Sequence, residues 1–178
     1  KARLTLENIT VDGNKVEARD PAFSLGSNAF LTLKNGAVIQ NHVCTSAYEG
    51  TVYVAGGVLT MEAGSVIRNN TTAGNGGGVN CGAGSFIMHG GTITGNTAAK
   101  GGGVKVTGGT VNMYGGEIAD NTATGSAEGT GNGGGVYVSG GTFNLYNGGS
   151  ITDNTTEVYS NGEGNGGGVY VAGGTFNL

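Results

Sequence analysis

Residues 133–156 read GGGVYVSGGTFNLYNGGSITDNTT, and residues 101–123 read GGGVKVTGGTVNMYGGEIADNTA. The two stretches are one text with small changes, and Gly-Gly-Gly-Val recurs at 76–79, 101–104, 133–136 and 166–169. Self-similarity at such a spacing marks a repeat architecture, so it is read before any single element. Anchored on an apolar start and a closing Asn, the repeats run Phe23 to Asn41, Val52 to Asn69, Val79 to Asn96, Val104 to Asn121 and Val136 to Asn154. A half coil carrying Leu4, Leu6, Val11 and Asn14 precedes them, and another, Val169 to Leu178, follows. The returns from each Asn to the next start differ in length, so a constant part alternates with one variable loop.

Inside the constant part, apolar and polar residues alternate over three short runs, the period-two signature of half-buried strands. In residues 133–156 the apolar members are Val136 and Val138, then Phe143 and Leu145, then Ile151, with Gly pairs at 140–141 and 148–149 as corners. Helical periodicity is missing. Short strands that repeat about every 27 residues without long crossovers pair with their equivalents one coil away. The expected fold is therefore all-β: a right-handed, single-stranded parallel β-helix of about six coils, with three short strands in each. It forms one repeat domain over residues 1–178. Equivalent residues then stack about 4.8 Å apart. The columns that result are chemically uniform, for example Val52, Val79, Val104, Val136 and Val169 facing inward. Asn14, Asn41, Asn69, Asn96, Asn121 and Asn154 are expected to share one position per coil, where stacked amides can donate to one neighbour and accept from the other.

The composition agrees with this frame. Forty of 178 residues are Gly, one is Pro, and 11% are charged. An aperiodic chain with that much Gly would read as low-complexity, but here Gly falls at fixed corners. A net charge of −4 with eight Lys plus Arg leaves no basic patch for nucleic acid. No apolar run of about 20 residues exists to form a spanning helix. Cys44 and Cys81 lack CxxC spacing, and His42 and His89 form no ligand cluster with them, so no metal or cofactor is expected. Cys81 replaces Val in an inward column and reads as a small buried hydrophobe.

The best catalytic candidates are Asp120 and Asp153, each directly before its ladder Asn in adjacent coils, with Glu117 nearby. Two carboxylates about 5 Å apart would suit retaining glycoside hydrolysis or a calcium site. A binding face is the stronger reading. The outward position of the first strand carries Ser24, Tyr53, Asn80, Lys105, Tyr137 and Tyr170, and Tyr rings there offer apolar faces with polar tips. Tyr53, Lys105, Tyr137 and Tyr170 are the candidate ligand-binding residues. His89 falls in a mixed outward column with Glu7, Lys34, Glu62, Tyr114 and Tyr146. The two longest returns carry Glu128, Glu157 and Glu163 and are further candidates for contact.

Gly77-Gly78-Val79, Gly102-Gly103-Val104, Gly134-Gly135-Val136 and Gly167-Gly168-Val169 combine with Ile93-Thr94-Gly95-Asn96, Ile118-Ala119-Asp120-Asn121 and Ile151-Thr152-Asp153-Asn154. This combination resembles bacterial surface and secreted β-helix repeat proteins, adhesin-like in kind, and more distantly the repeats of chlamydial polymorphic outer-membrane autotransporters. The resemblance covers nearly the whole chain and its motifs are architectural. It implies a non-catalytic extracellular rod at the bacterial cell surface that mediates adhesion or display, with a host or microbial glycan or a surface protein as partner. It carries over no catalytic residue. The wider pectate-lyase-like superfamily shares the architecture and includes polysaccharide-active lyases and hydrolases, which is the alternative. Lys1 stands just before a strand and Leu178 within one, so the chain is expected to be a fragment of a longer surface protein.

Overall fold

A computed structural model of the chain describes residues 1–46, 49–125, 131–157 and 164–178. The coil that starts at Val104 shows the unit: strands Val104–Val106, Thr110–Met113, Gly116–Ala119 and Thr122–Ala123. The first three are those the alternation marks. The fourth follows the ladder Asn and is two residues long, too short for any alternation to reveal it. Each strand pairs in parallel with its equivalent in the next coil, as Lys105 with Tyr137, Val111 with Phe143 and Ile118 with Ile151. The result is a parallel β-solenoid whose described residues form sheets of seven, six, six and six strands. No helix occurs among the described residues.

In-register stacking decides the core, because each inward side chain meets a like side chain above and below. Leu31, Leu59, Phe86, Val111 and Phe143 form one column of the seven-stranded sheet, and Leu33, Met61, Met88 and Met113 form the next; all are at most 1% exposed. Full burial of each such side chain contributes about 1.5–3 kcal/mol, so the interior columns carry most of the stability. Cys81 sits in the Val column between Val54 and Val106, as expected. Burial pushes its thiol up to about 12. Both cysteines are buried and free.

The Gly triplet has a different reason at each place. Gly101 holds a positive φ of 65°, which an L side chain adopts only at a cost. A Cβ on Gly102 would stand 2.5 Å from the carbonyl oxygens of Gly134 and Thr122. One on Gly103 would meet the Gly135 oxygen and Ile118 Cγ2 at 2.8 Å, and Asn121 Nδ2 at 3.0 Å. The triplet is where the return crosses the next coil at backbone contact.

The amide ladder is present, with a shift of register in the early coils. Asn96 Nδ2 donates to Ile67 O and to Asn121 Oδ1, both at 3.0 Å, and the Asn96 backbone N–H donates to the same Oδ1. Asn70 repeats this pattern onto Asn96, and Asn121 repeats it onto Asn154. Asn70, Asn96 and Asn121 are fully buried. The expected members Asn14, Asn41 and Asn69 lie outside the ladder, at positive φ of 52°, 56° and 54°. Strand pairing forces this: Val66 lies opposite Thr92, which places Asn70, not Asn69, opposite Asn96. One coil earlier His42 occupies the ladder position, its N–H donating to Asn70 Oδ1. Asn69 shares its column instead with Gly95, Asp120 and Asp153, all left-handed corners where Asn, Asp and Gly are tolerated.

Candidate binding faces

The outward column of the first strand is confirmed residue by residue: Ser24, Tyr53, Asn80, Lys105, Tyr137 and Tyr170 are register partners in sequence. The variable returns, however, lie over its middle. Asn75, Lys100, Asn132 and Asn165 pair in parallel as a narrow strip of their own just before the Gly triplets. Asn75 Oδ1 accepts from Lys105 Nζ at 2.6 Å, and Lys100 Nζ stands 5.8 Å from the Tyr137 ring centre. Lys105 and Tyr137 are consequently only 9% and 7% exposed. Burial, then the neighbouring charge of Lys100, lowers the Lys105 ammonium to about 8. Tyr137 is pushed up, chiefly by burial.

Ring faces are also taken up within the column. Tyr137 stacks on Tyr170 at 5.7 Å with 15° between planes, and Lys105 Nζ lies 5.2 Å from the centre of the Tyr137 ring. Of the four candidate residues, Tyr53 and Tyr170 remain half-buried, whereas Lys105 and Tyr137 serve the joint between strand and return.

A second face is more open. On the outside of the seven-stranded sheet His89 stacks on Tyr114 at 5.4 Å, and Tyr114 on Tyr146 at 4.5 Å, with planes within 14° of parallel. Tyr114 and Tyr146 are 45% and 44% exposed. Two residues back from Tyr114 and Tyr146 runs an amide ladder that continues to Asn177: Asn144 Nδ2 donates to Asn112 Oδ1 at 2.8 Å, and Asn177 Nδ2 to Asn144 Oδ1 at 2.7 Å. The sequence places His89, Tyr114 and Tyr146 in one column, but Glu7, Lys34 and Glu62 make its first half charged and mask the stack. The available signal was the change of character from His89 onward.

Asp120 and Asp153 occupy equivalent exposed corners of adjacent coils, at φ of 55° and 54°. Glu117 is engaged elsewhere, its Oε1 accepting from Thr152 Oγ1 of the next coil at 3.0 Å. At the opposite end of the rod a polar hollow of about 360 Å³ is lined by Arg19, Asp20, Ser46 and Glu49. Among the described residues, no three His, Cys, Asp or Glu side chains are grouped to hold a metal ion. Of the loop carboxylates, Glu157 is exposed, while Glu128 and Glu163 lie outside the described residues.

Comparison with family models, with curated proteins and with solved structures finds no match. A β-solenoid hosts many activities, so the fold by itself does not decide the function.

Proposed function

We propose that this chain is a non-catalytic extracellular repeat rod of a bacterial surface protein, mediating adhesion or display by contact with a host protein or a glycan. The observation that carries the reading is the exposed stack of His89, Tyr114 and Tyr146 beside the Asn112–Asn144–Asn177 ladder. Aromatic rings and amides in a flat outward array suit surface contact, since large exposed aromatic area is otherwise unfavourable. A rod of stacked coils holds such groups at fixed intervals away from an attachment point. The likeness of the GGGV and I-x-x-N signatures to surface repeat proteins supports the same reading.

A polysaccharide-active enzyme is the alternative, favoured only by the adjacent corner carboxylates Asp120 and Asp153. The test incubates the purified chain with uronic and neutral polysaccharides, with and without calcium, and counts new reducing ends; retention on immobilised mucin is measured in parallel. No new ends together with retention is the expected result. Cleavage lost in Asp120→Asn or Asp153→Asn would overturn the rod reading.

A further inference from the structure

We propose that the outer face of the seven-stranded sheet, from His89 to Asn177, binds an extended uncharged β-linked polysaccharide laid along the coil axis. The proposal rests on the surface-contact reading above and names its partner.

The ring faces of His89, Tyr114 and Tyr146 are turned on one another, so what the stack offers outward is ring edges and, at Tyr114 and Tyr146, phenolic hydroxyls. A sugar is thus not held by lying flat on one ring. It is held by hydroxyl contacts and by C–H edges running across several rings. Beside the stack, each ladder bond uses one hydrogen of the donating amide. A primary amide has two such hydrogens and an oxygen with two lone pairs, so Asn144 keeps one donor and one acceptor site beyond its two ladder bonds. Amide and hydroxyl therefore stand together in two adjacent coils, Asn112 with Tyr114 and Asn144 with Tyr146, one coil rise of about 4.8 Å apart. That interval is close to the advance per sugar of an extended β-linked pyranose chain, so one coil can meet one sugar.

Charge and shape select against other partners. The column is charged at Glu7, Lys34 and Glu62 and carries Tyr114 and Tyr146 after His89, so an acidic polymer finds no Lys or Arg on this stretch. A protein partner draws most of its binding energy from a few anchors seated in pockets. This face is a flat repeat, which fits a ligand that is itself a flat repeat. Contacts made coil by coil also imply that affinity grows with ligand length until the face is spanned.

The test uses the whole chain in affinity electrophoresis through soluble mixed-linkage β-glucan, with polygalacturonate as the acidic control, and calorimetry with cello-oligosaccharides from two to six sugars. Expected are retardation by the neutral glucan alone and affinity rising with length. The Tyr114→Ala/Tyr146→Ala double variant should weaken binding about tenfold with an unchanged melting temperature. Asn144→Ala provides a second, independent reduction. Absence of retardation, equal retardation by polygalacturonate, or full retardation of the double variant overturns the proposal. If the double variant is retarded by glucan as fully as the parent while both hold to mucin, this site is overturned and the adhesion reading survives. If the parent chain holds to neither glucan nor mucin, both fall.

Discussion

Asn96 reaches Asn121 twice, with its Nδ2 and with its backbone N–H, and both bonds end on the same Oδ1 at 3.0 Å. Its own Oδ1 accepts from Asn70 in the same two ways. Leu at position 96 would keep the shape but leave the Asn70 N–H and the Ile67 carbonyl without their partners. Each buried polar group so stranded costs about 1–3 kcal/mol. Asn96→Leu is therefore expected to lose about 3 kcal/mol or more in urea unfolding. Asn69→Gly, at the neighbouring left-handed corner, should stay within about 0.5 kcal/mol. Equal losses would remove the distinction between ladder and corner. Asn112 is no neutral control, because it accepts from Asn144 in a ladder of its own.

Stability should rise with alkaline pH because of Lys105. Its ammonium falls to about 8 in the folded chain against an ordinary 10.5. Between those values the unfolded chain binds the extra proton, so raising the pH favours folding. The gain, discounted for partial solvent screening, is about 1–2 kcal/mol. The Lys105→Met variant should lack this rise, which melting curves from pH 7.5 to 9 can read directly.

Cys81 acts in the opposite direction at higher pH. Its thiol ordinarily ionises near 9 and in the fold near 12, so above 9 the unfolded chain loses a proton that the folded chain keeps. Stability then falls as pH rises. Cys81→Val should abolish that fall and be close to neutral at pH 7, because Val54 and Val106 already fill the same column. A loss above 2 kcal/mol at pH 7 would mean the column is not interchangeable at this coil.

Glycines should divide sharply by position. Gly103→Ala places a methyl against the Gly135 carbonyl and Asn121 and is expected to cost about 1–3 kcal/mol. Gly26 has open space around an added Cβ, and Gly26→Ala should be neutral or stabilising by about 0.4–1 kcal/mol through a less free unfolded chain. Chemical denaturation of the two variants separates packing from flexibility.

Thr51 is fully buried, and among the described residues its hydroxyl has no hydrogen-bond partner. Thr51→Val keeps the branched shape and removes the unmet hydroxyl. It should raise stability by about 1 kcal/mol, measured as a higher urea midpoint.

The fold was legible because each inward column repeats one kind of side chain. Val79, Val104 and Val136 could be aligned by eye, and the strand register agrees. The ladder was harder. Asn69-Asn70 offers two amides for one place, and the corner breaks the alternation that would choose between them, so only backbone pairing settles it. The sequence aligns the first-strand column in the register that the strands adopt, yet Lys105 and Tyr137 are covered. Where a return loop lies is decided by its own path, at Asn75 and Lys100, and strand periodicity says nothing about that. The open stack at Tyr114 and Tyr146 was hidden by averaging over a column whose two halves differ in charge.

Since among the described residues each coil is joined by hydrogen bonds only to the coils on either side, tension applied between the two chain ends meets the layers one after another. Peeling a single layer, such as the 25 residues from Asn96 to Asn121, frees roughly 80–90 Å of slack at about 3.3–3.6 Å per residue. The rod would then yield in steps, dissipating a tug layer by layer while the remaining layers stay folded.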